Sequence, residues 1–117
     1  MVRTVLVVDD QSSFRAVARE LLDHAGFEVV GEAADSAGAL AAERALRPDL
    51  VLLDVRLPDG SGVDVARTMH AYDEPPVVVL TSTADYRHAV SGCGARGFVP
   101  KAELSGDSLR SVLTDDP

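Results

Sequence analysis

The run LVLLD at residues 50–54 constrains the fold of this chain more than any other stretch. Four apolar residues pass without a break into Asp54, whereas a strand with one wet face alternates polar and apolar residues. The run therefore reads as a strand covered on both faces, which calls for a sheet with helices above and below it. An acid at the carboxyl end of such a strand stands at the ligand crevice of an open α/β sheet, pointing into solvent and toward its neighbours on adjacent strands. A first strand over residues 5–8 ends on Asp9 and Asp10, a fourth over 77–80 ends on Thr81 and Ser82, and a fifth over 97–100 ends on Lys101.

Between these runs the pattern turns helical. Phe14, Val17, Ala18, Leu21, Leu22 and Ala25 recur at helical spacing, after the capping candidates Gln11, Ser12 and Ser13 and before a terminating Gly26. A short strand is expected over 27–33, then a helix capped by Ser36 and running to Leu46, which Pro48 keeps from entering the next strand. A loop with Pro58, Gly60 and Gly62 follows, then a helix over 63–72, and Pro75-Pro76 lead into the fourth strand. The helix expected over 85–93 is the weakest, since Gly92 inside it costs about 1 kcal/mol relative to Ala. A last helix over 107–113, capped by Ser105 or Asp107, leaves 114–117 as a loose tail. Strands and helices in alternation imply an α/β fold, a doubly wound parallel sheet with right-handed crossovers and helices on both faces.

The 117 residues suit one domain, and an apolar fraction of 46% is ordinary for a globular protein. A formal charge of -8 argues against nucleic acid or an anionic membrane as direct partner, since either needs a basic face. Cys93 is the single cysteine and cannot form an internal disulfide, and the chain enters its first strand without a signal peptide, so the cytoplasm is the expected location. No apolar run approaches the roughly 20 residues of a membrane-spanning helix.

If the first and third strands are neighbours, Asp9, Asp10 and Asp54 meet at one sheet edge. Three carboxylates in so small a volume call for a cation, and hard oxygen ligands favour Mg2+, with Mn2+ as a substitute. A divalent cation and the Lys101 ammonium together would cancel the repulsion that otherwise keeps an Asp carboxylate from attacking a phosphorus centre. Thr81 adds a hydroxyl donor, and the loop amides after Asp54 could hold other phosphoryl oxygens.

The motifs VVDD (residues 7–10), LLDVRLPDGSG (52–62), VVVLTS (77–82) and GARGFVPK (94–101) together resemble the receiver, or CheY-like, domains of two-component response regulators, over essentially the whole chain. The resemblance implies a flavodoxin-like five-stranded sheet in the order 2-1-3-4-5. It implies that Asp54 is the phosphoacceptor, Asp10 a direct metal ligand, Asp9 a ligand through water, and the Arg56 backbone carbonyl a further ligand. Thr81, Ser82 and Lys101 take the phosphoryl-contacting positions, with Thr81 and Phe98 as the switch pair. The implied partners are a histidine kinase or phosphotransfer protein, and a second copy of the chain through the fourth helix, fifth strand and fifth helix. Ser82 stands where Ala or Gly is usual, and Ala102 where many members have Pro. The second departure, like the wording GARGF, is familiar among receivers that precede a helix-turn-helix output domain.

Two other readings fit less well. A small phosphohydrolase working through an aspartyl-phosphate would want a second Asp two residues after the nucleophile, and Arg56 stands there. A flavin module would want a Gly- and hydroxyl-rich loop after the first strand, where Asp9-Asp10 would repel a phosphate. Gly92 to Gly97 spells G-x-G-x-x-G, but it precedes a strand instead of following one, so it is not a dinucleotide fingerprint. His24, His70 and His88 have no partner at metal-binding spacing, and Cys93 reads as a small helix-end residue.

Overall fold

The structure, a computed structural model, describes residues 2–114. Strands β1 (Thr4–Val8), β2 (Glu28–Ala33), β3 (Leu50–Asp54), β4 (Val77–Ser82) and β5 (Gly97–Pro100) form one parallel sheet in the order 2-1-3-4-5, the flavodoxin-like arrangement. Leu50, Val51, Leu52 and Leu53 are all fully buried, as the unbroken apolar run requires. Successive side chains serve opposite layers. Leu50 and Leu52 join Val5, Val7 and Val79 under Ala18 and Leu22 of helix α1 (Ser12–His24). Leu109, from the last helix (Gly106–Thr114), completes that layer. Val51 and Leu53 join Leu6, Val8, Val78 and Leu80 on the other face, beneath Ala39 of α2 (Ser36–Leu46) and Val65, Ala66 and Met69 of α3 (Gly62–His70). Each such Leu or Val contributes about 1.5–3 kcal/mol through burial, so the two central strands, with helices on both sides, anchor the fold.

Asp49 ties the entry ends of those central strands together. Its Oδ2 accepts the amides of Arg3 at 2.9 Å and Thr4 at 3.1 Å, and its own amide donates to Thr4 Oγ1 at 2.9 Å. The Arg3 and Thr4 amides hold the Asp49 carboxyl below the usual range.

Several local expectations need correction. Gln11 occupies the N-cap position of α1 but gives no side-chain cap; its amide is instead taken by Asp9 Oδ1 at 2.9 Å. Asp35, not Ser36, caps α2 by accepting the Gly38 amide at 2.7 Å, and Asp59 reaches across to take the amides of Ser36 and Ala37. The loop after Asp54 contains a two-residue antiparallel ladder, Arg56–Leu57 with Gly60–Ser61, which no periodicity could announce. Residues 85–93 hold a 3-10 turn (Arg87–Ala89) and one helical turn, α4 (Val90–Cys93). Asp85 takes the Arg87 amide in a local turn, and Gly92 adds nothing to prolong the helix. Of the two expected caps of the last helix, α5, it is Ser105 that serves, accepting the Ser108 amide at 2.9 Å while Ser108 Oγ accepts that of Ser105 at 2.8 Å. Thr114 closes α5 and is not tail; residues 115–117 lie outside the described residues. No helix among the described residues is long and apolar enough to cross a membrane.

Candidate functional site

Register brings the strand-end residues together. Val8 of β1 pairs with Leu53 of β3, so Asp9 and Asp54 leave the sheet at the same level. Asp54 pairs with Thr81 of β4, and Thr81 and Ser82 pair with Val99 and Pro100, which places Lys101 beside them. The carboxylates of Asp9, Asp10 and Asp54 each present an oxygen within 4.8 Å of the others. Asp54 does not point into solvent: it is 4% exposed, and Asp9 is fully buried.

Close approach at this edge is made by a glycine. Gly62, the first residue of α3, donates its amide to the Val55 carbonyl at 2.7 Å, and a methyl group on its Cα would overlap the Asp54 carbonyl. The loop behind Asp54 therefore folds back with no room for a side chain.

Among the described residues, one ammonium faces the three acids. Lys101 Nζ lies 2.7 Å from Asp9 Oδ2 and 3.3 Å from Asp54 Oδ2, and 4.5 Å from the centre of the Phe14 ring. Burial, with the neighbouring Asp9 charge, pushes the Asp54 carboxyl up to about 6, against the pull of the Arg56 amide and Lys101. Burial pulls the Lys101 ammonium down, but the Asp9 hydrogen bond and the Asp54 charge outweigh it, so its pKa lies above the usual lysine value. The arrangement is short of positive charge, and its donors are hard oxygens, which is the set that suits a small divalent cation.

Thr81 Oγ1 is buried and has no hydrogen-bond partner among the described residues. Such an orphan donor costs free energy unless something else satisfies it. Ser82 Oγ accepts the Ala84 amide at 3.2 Å. Asp10, Gln11, Asp54, Arg56, Ser82, Thr83 and Lys101 line a cleft of about 220 Å3 over these groups. A wider cleft of about 430 Å3, between the ends of α2 and α3, holds Arg44, Arg47 and Tyr72 but no close-set group of three acids. Chemistry, not size, marks the site. Phe98 lies one strand away, packed inward at 7% exposure with the Arg87 guanidinium 5.7 Å from its ring centre. Sequence patterns miss three participants: Gln11, whose amide orients Asp9; Phe14, beneath Lys101; and Arg15, whose Nη1 donates to the Asp9 carbonyl at 2.6 Å. Phe14 reads as core by its periodicity and Gln11 as a helix-capping candidate, and nothing in the local pattern distinguishes Arg15 from a surface polar residue.

Comparison with known proteins shows what the chain as a whole is similar to. Residues 5–113 match the family model described as the response regulator receiver domain. The DNA-binding response regulator MtrA of Mycobacterium tuberculosis is 41% identical over 105 residues, which cover 86% of this chain and 45% of that protein. The transcriptional regulatory protein PdtaR of the same species is 35% identical over 112 residues, covering 94% of this chain and 55% of the relative. The chain thus spans about half the length of these curated relatives. Among solved structures, the signal receiver domain of the M. tuberculosis response regulator NarL superposes with a TM-score of 0.84 at 33% identity, covering 97% of this chain and 98% of that one.

Proposed function

Since the chain belongs to the response regulator receiver domains of two-component systems, we propose that Asp54 is its phosphoacceptor and that it takes the phosphoryl group from a histidine kinase or phosphotransfer protein. In that step an Asp54 carboxylate oxygen bonds to phosphorus as the bond from phosphorus to the donor's imidazole nitrogen breaks, leaving the histidine free. The observation that carries the reading is the buried Asp54 carboxylate with Asp9, Asp10 and Lys101 packed around it.

Asp9, Asp10, Asp54 and the Arg56 carbonyl are the groups that would hold Mg2+, or Mn2+ in its place. When bound, the ion supplies charge that offsets the repulsion between carboxylate and phosphoryl oxygens. Lys101 adds its ammonium on the Asp9 side. Thr81 Oγ1, with no partner of its own, donates to a phosphoryl oxygen once one is present, and Ser82 borders the same oxygens from the cleft wall. On phosphorylation Thr81 is drawn toward the phosphoryl oxygens on Asp54 and Phe98, by packing inward, fills the space it leaves, a two-state packing change that carries the signal to the neighbouring surface. The readout surface is α4, β5 and α5, through which a second copy or an output partner is engaged. The chemistry is confined to forming and hydrolysing the protein's own acyl phosphate. A phosphohydrolase turning over small esters is disfavoured by Arg56, which stands where its second acid would be needed.

The test is transfer from acetyl phosphate, read by intact mass. Wild type with Mg2+ should gain one phosphoryl group; with a chelator, or as Asp54→Asn, it should gain none. An adduct of undiminished yield on Asp54→Asn would remove the assignment.

A further inference from the structure

Asp10 is the exposed member of a cluster whose other two acids are buried. Surrounding protein does not wedge its carboxylate into place, so the direction in which the side chain leaves the backbone is set by the peptide plane that joins it to Asp9. That plane is held at its oxygen. Arg15 Nη1 donates to the Asp9 carbonyl at 2.6 Å, a short, charge-assisted bond. On its other side Asp9 is tied by its amide to the Ala33 carbonyl of β2 at 3.0 Å, and by its side chain to Gln11 and Lys101.

Arg15 is braced in turn. Its Nε donates to Glu32 Oε1 at 2.9 Å, and Arg19, one turn along the same helix, holds Glu32 Oε2 at 2.9 Å. Glu32 stands on β2 opposite Val7, two residues before Asp9, so the brace links helix α1 and the edge strand β2 to the turn that carries the acids. Burial pushes the Glu32 carboxyl up, but the bonds from Arg15 and Arg19 prevail and hold it below the usual range, so it stays charged at neutral pH. Part-exposed ion pairs add little to stability. A planar guanidinium that binds a carboxylate with one edge and a carbonyl with another fixes orientation, which a lysine cannot do with a single point of charge.

We propose that Arg15, braced by Glu32 and Arg19, is the positioning residue for the Asp10 carboxylate, and that the affinity of the acidic cluster for a divalent cation is set through it. The inference rests on the reading of that cluster as a cation site. Partners that orient a metal ligand typically change affinity about 10- to 100-fold when removed; an arginine acting through one peptide plane belongs at the lower end, about tenfold.

Calorimetric titration with MgCl2 of wild type, Arg15→Ala, Arg15→Lys, Glu32→Gln and Asp10→Ala tests it, alongside metal-free melting and the amide NMR shifts of Asp10 and Gln11. Arg15→Ala should weaken Mg2+ binding about tenfold, with Arg15→Lys and Glu32→Gln in between, and should move the Asp10 and Gln11 amides before any Mg2+ is added. A merely structural arginine would lower the melting temperature and leave Mg2+ affinity unchanged, and that result overturns the inference. If wild type itself takes no Mg2+, the cation reading falls instead. If wild type binds, Asp10→Ala does not, and the Arg15 and Glu32 variants bind as wild type does, only the positioning role is wrong. Should Arg15→Ala fail to fold, Arg15→Lys and Glu32→Gln decide: wild-type affinity in both overturns the proposal.

Discussion

Replacing Asp54, the proposed phosphoacceptor, by its neutral isostere should stabilise the metal-free protein. Asp54 is an acid that the fold would prefer uncharged: burial and the Asp9 charge move its carboxyl from 3.8 to about 6. Each pKa unit corresponds to about 1.36 kcal/mol between the two protonation states, so the ionised carboxylate costs the folded state about 3 kcal/mol at neutral pH. Asn keeps the shape and removes the charge, and Lys101 retains Asp9 as its partner. Asp54→Asn should therefore be more stable than wild type by about 2–3 kcal/mol at pH 7.5 in chelator, which raises the urea midpoint by about 1 M or more for a domain of this size. Between pH 3.8 and about 6 the native state binds more protons than the unfolded chain, so wild-type stability falls as pH rises through that window, other groups aside. The advantage of the variant should accordingly be full above pH 7, shrink on acidification and vanish below the unfolded pKa. Saturating Mg2+ should reduce it by stabilising wild type selectively. A variant no more stable than wild type at pH 7.5 in chelator, or equally advantaged at pH 4, would refute the electrostatic argument.

The same geometry sets other outcomes. Mg2+ should raise the melting temperature of wild type but not of Asp10→Ala, as differential scanning fluorimetry would show. Gly62→Ala should cost about 1–3 kcal/mol in urea unfolding and slow phosphorylation of Asp54 by acetyl phosphate, because its methyl displaces the Asp54 carbonyl. Asp49→Asn should lose about 1 kcal/mol at neutral pH; the wild-type carboxyl titrates below its unfolded value of 3.8, so the deficit should close as pH falls through the native pKa. Thr81→Ala should still accept phosphate yet fail to transmit it: hydrogen exchange over residues 85–101 should respond to beryllofluoride and Mg2+ in wild type and not in the variant, and an equal response in both would count against the coupling.

How far the fold is legible in the sequence depends on the range of the interactions that make it. The LVLLD run needs no knowledge of the rest of the chain to read as a strand buried on both faces, and the acids, hydroxyls and lysine at strand ends need only the rule that parallel strands present their carboxyl ends together. The order of the sheet rests on the family resemblance, since alternation alone does not say which strands are neighbours. Caps are misread where a competing acid lies nearby: Asp35 outcompetes Ser36, and Asp59 arrives from a loop 23 residues on. The fourth helix is shorter than expected because Asp85 closes a local turn and Gly92 weakens the single helical turn beyond it, the second being visible in the sequence and the first not. Gly62, Asp49 and Arg15 share one property: each acts through a backbone group of a distant or turned-back segment, where side-chain periodicity carries no trace. Asp54 stands at its strand end as the sequence implies, yet its burial has no local signal, because β1 and β4 enclose it only once the sheet is assembled.

The central claim, that Asp54 carries the phosphoryl group, is tested most directly by locating the acyl phosphate. After incubation with acetyl phosphate and Mg2+, borohydride reduces an aspartyl phosphate to homoserine, which peptide sequencing by mass spectrometry assigns to a position. The account predicts homoserine at position 54 alone, and none when Mg2+ is replaced by chelator. Homoserine at any other residue, or none anywhere while phosphoryl transfer is seen, would contradict it.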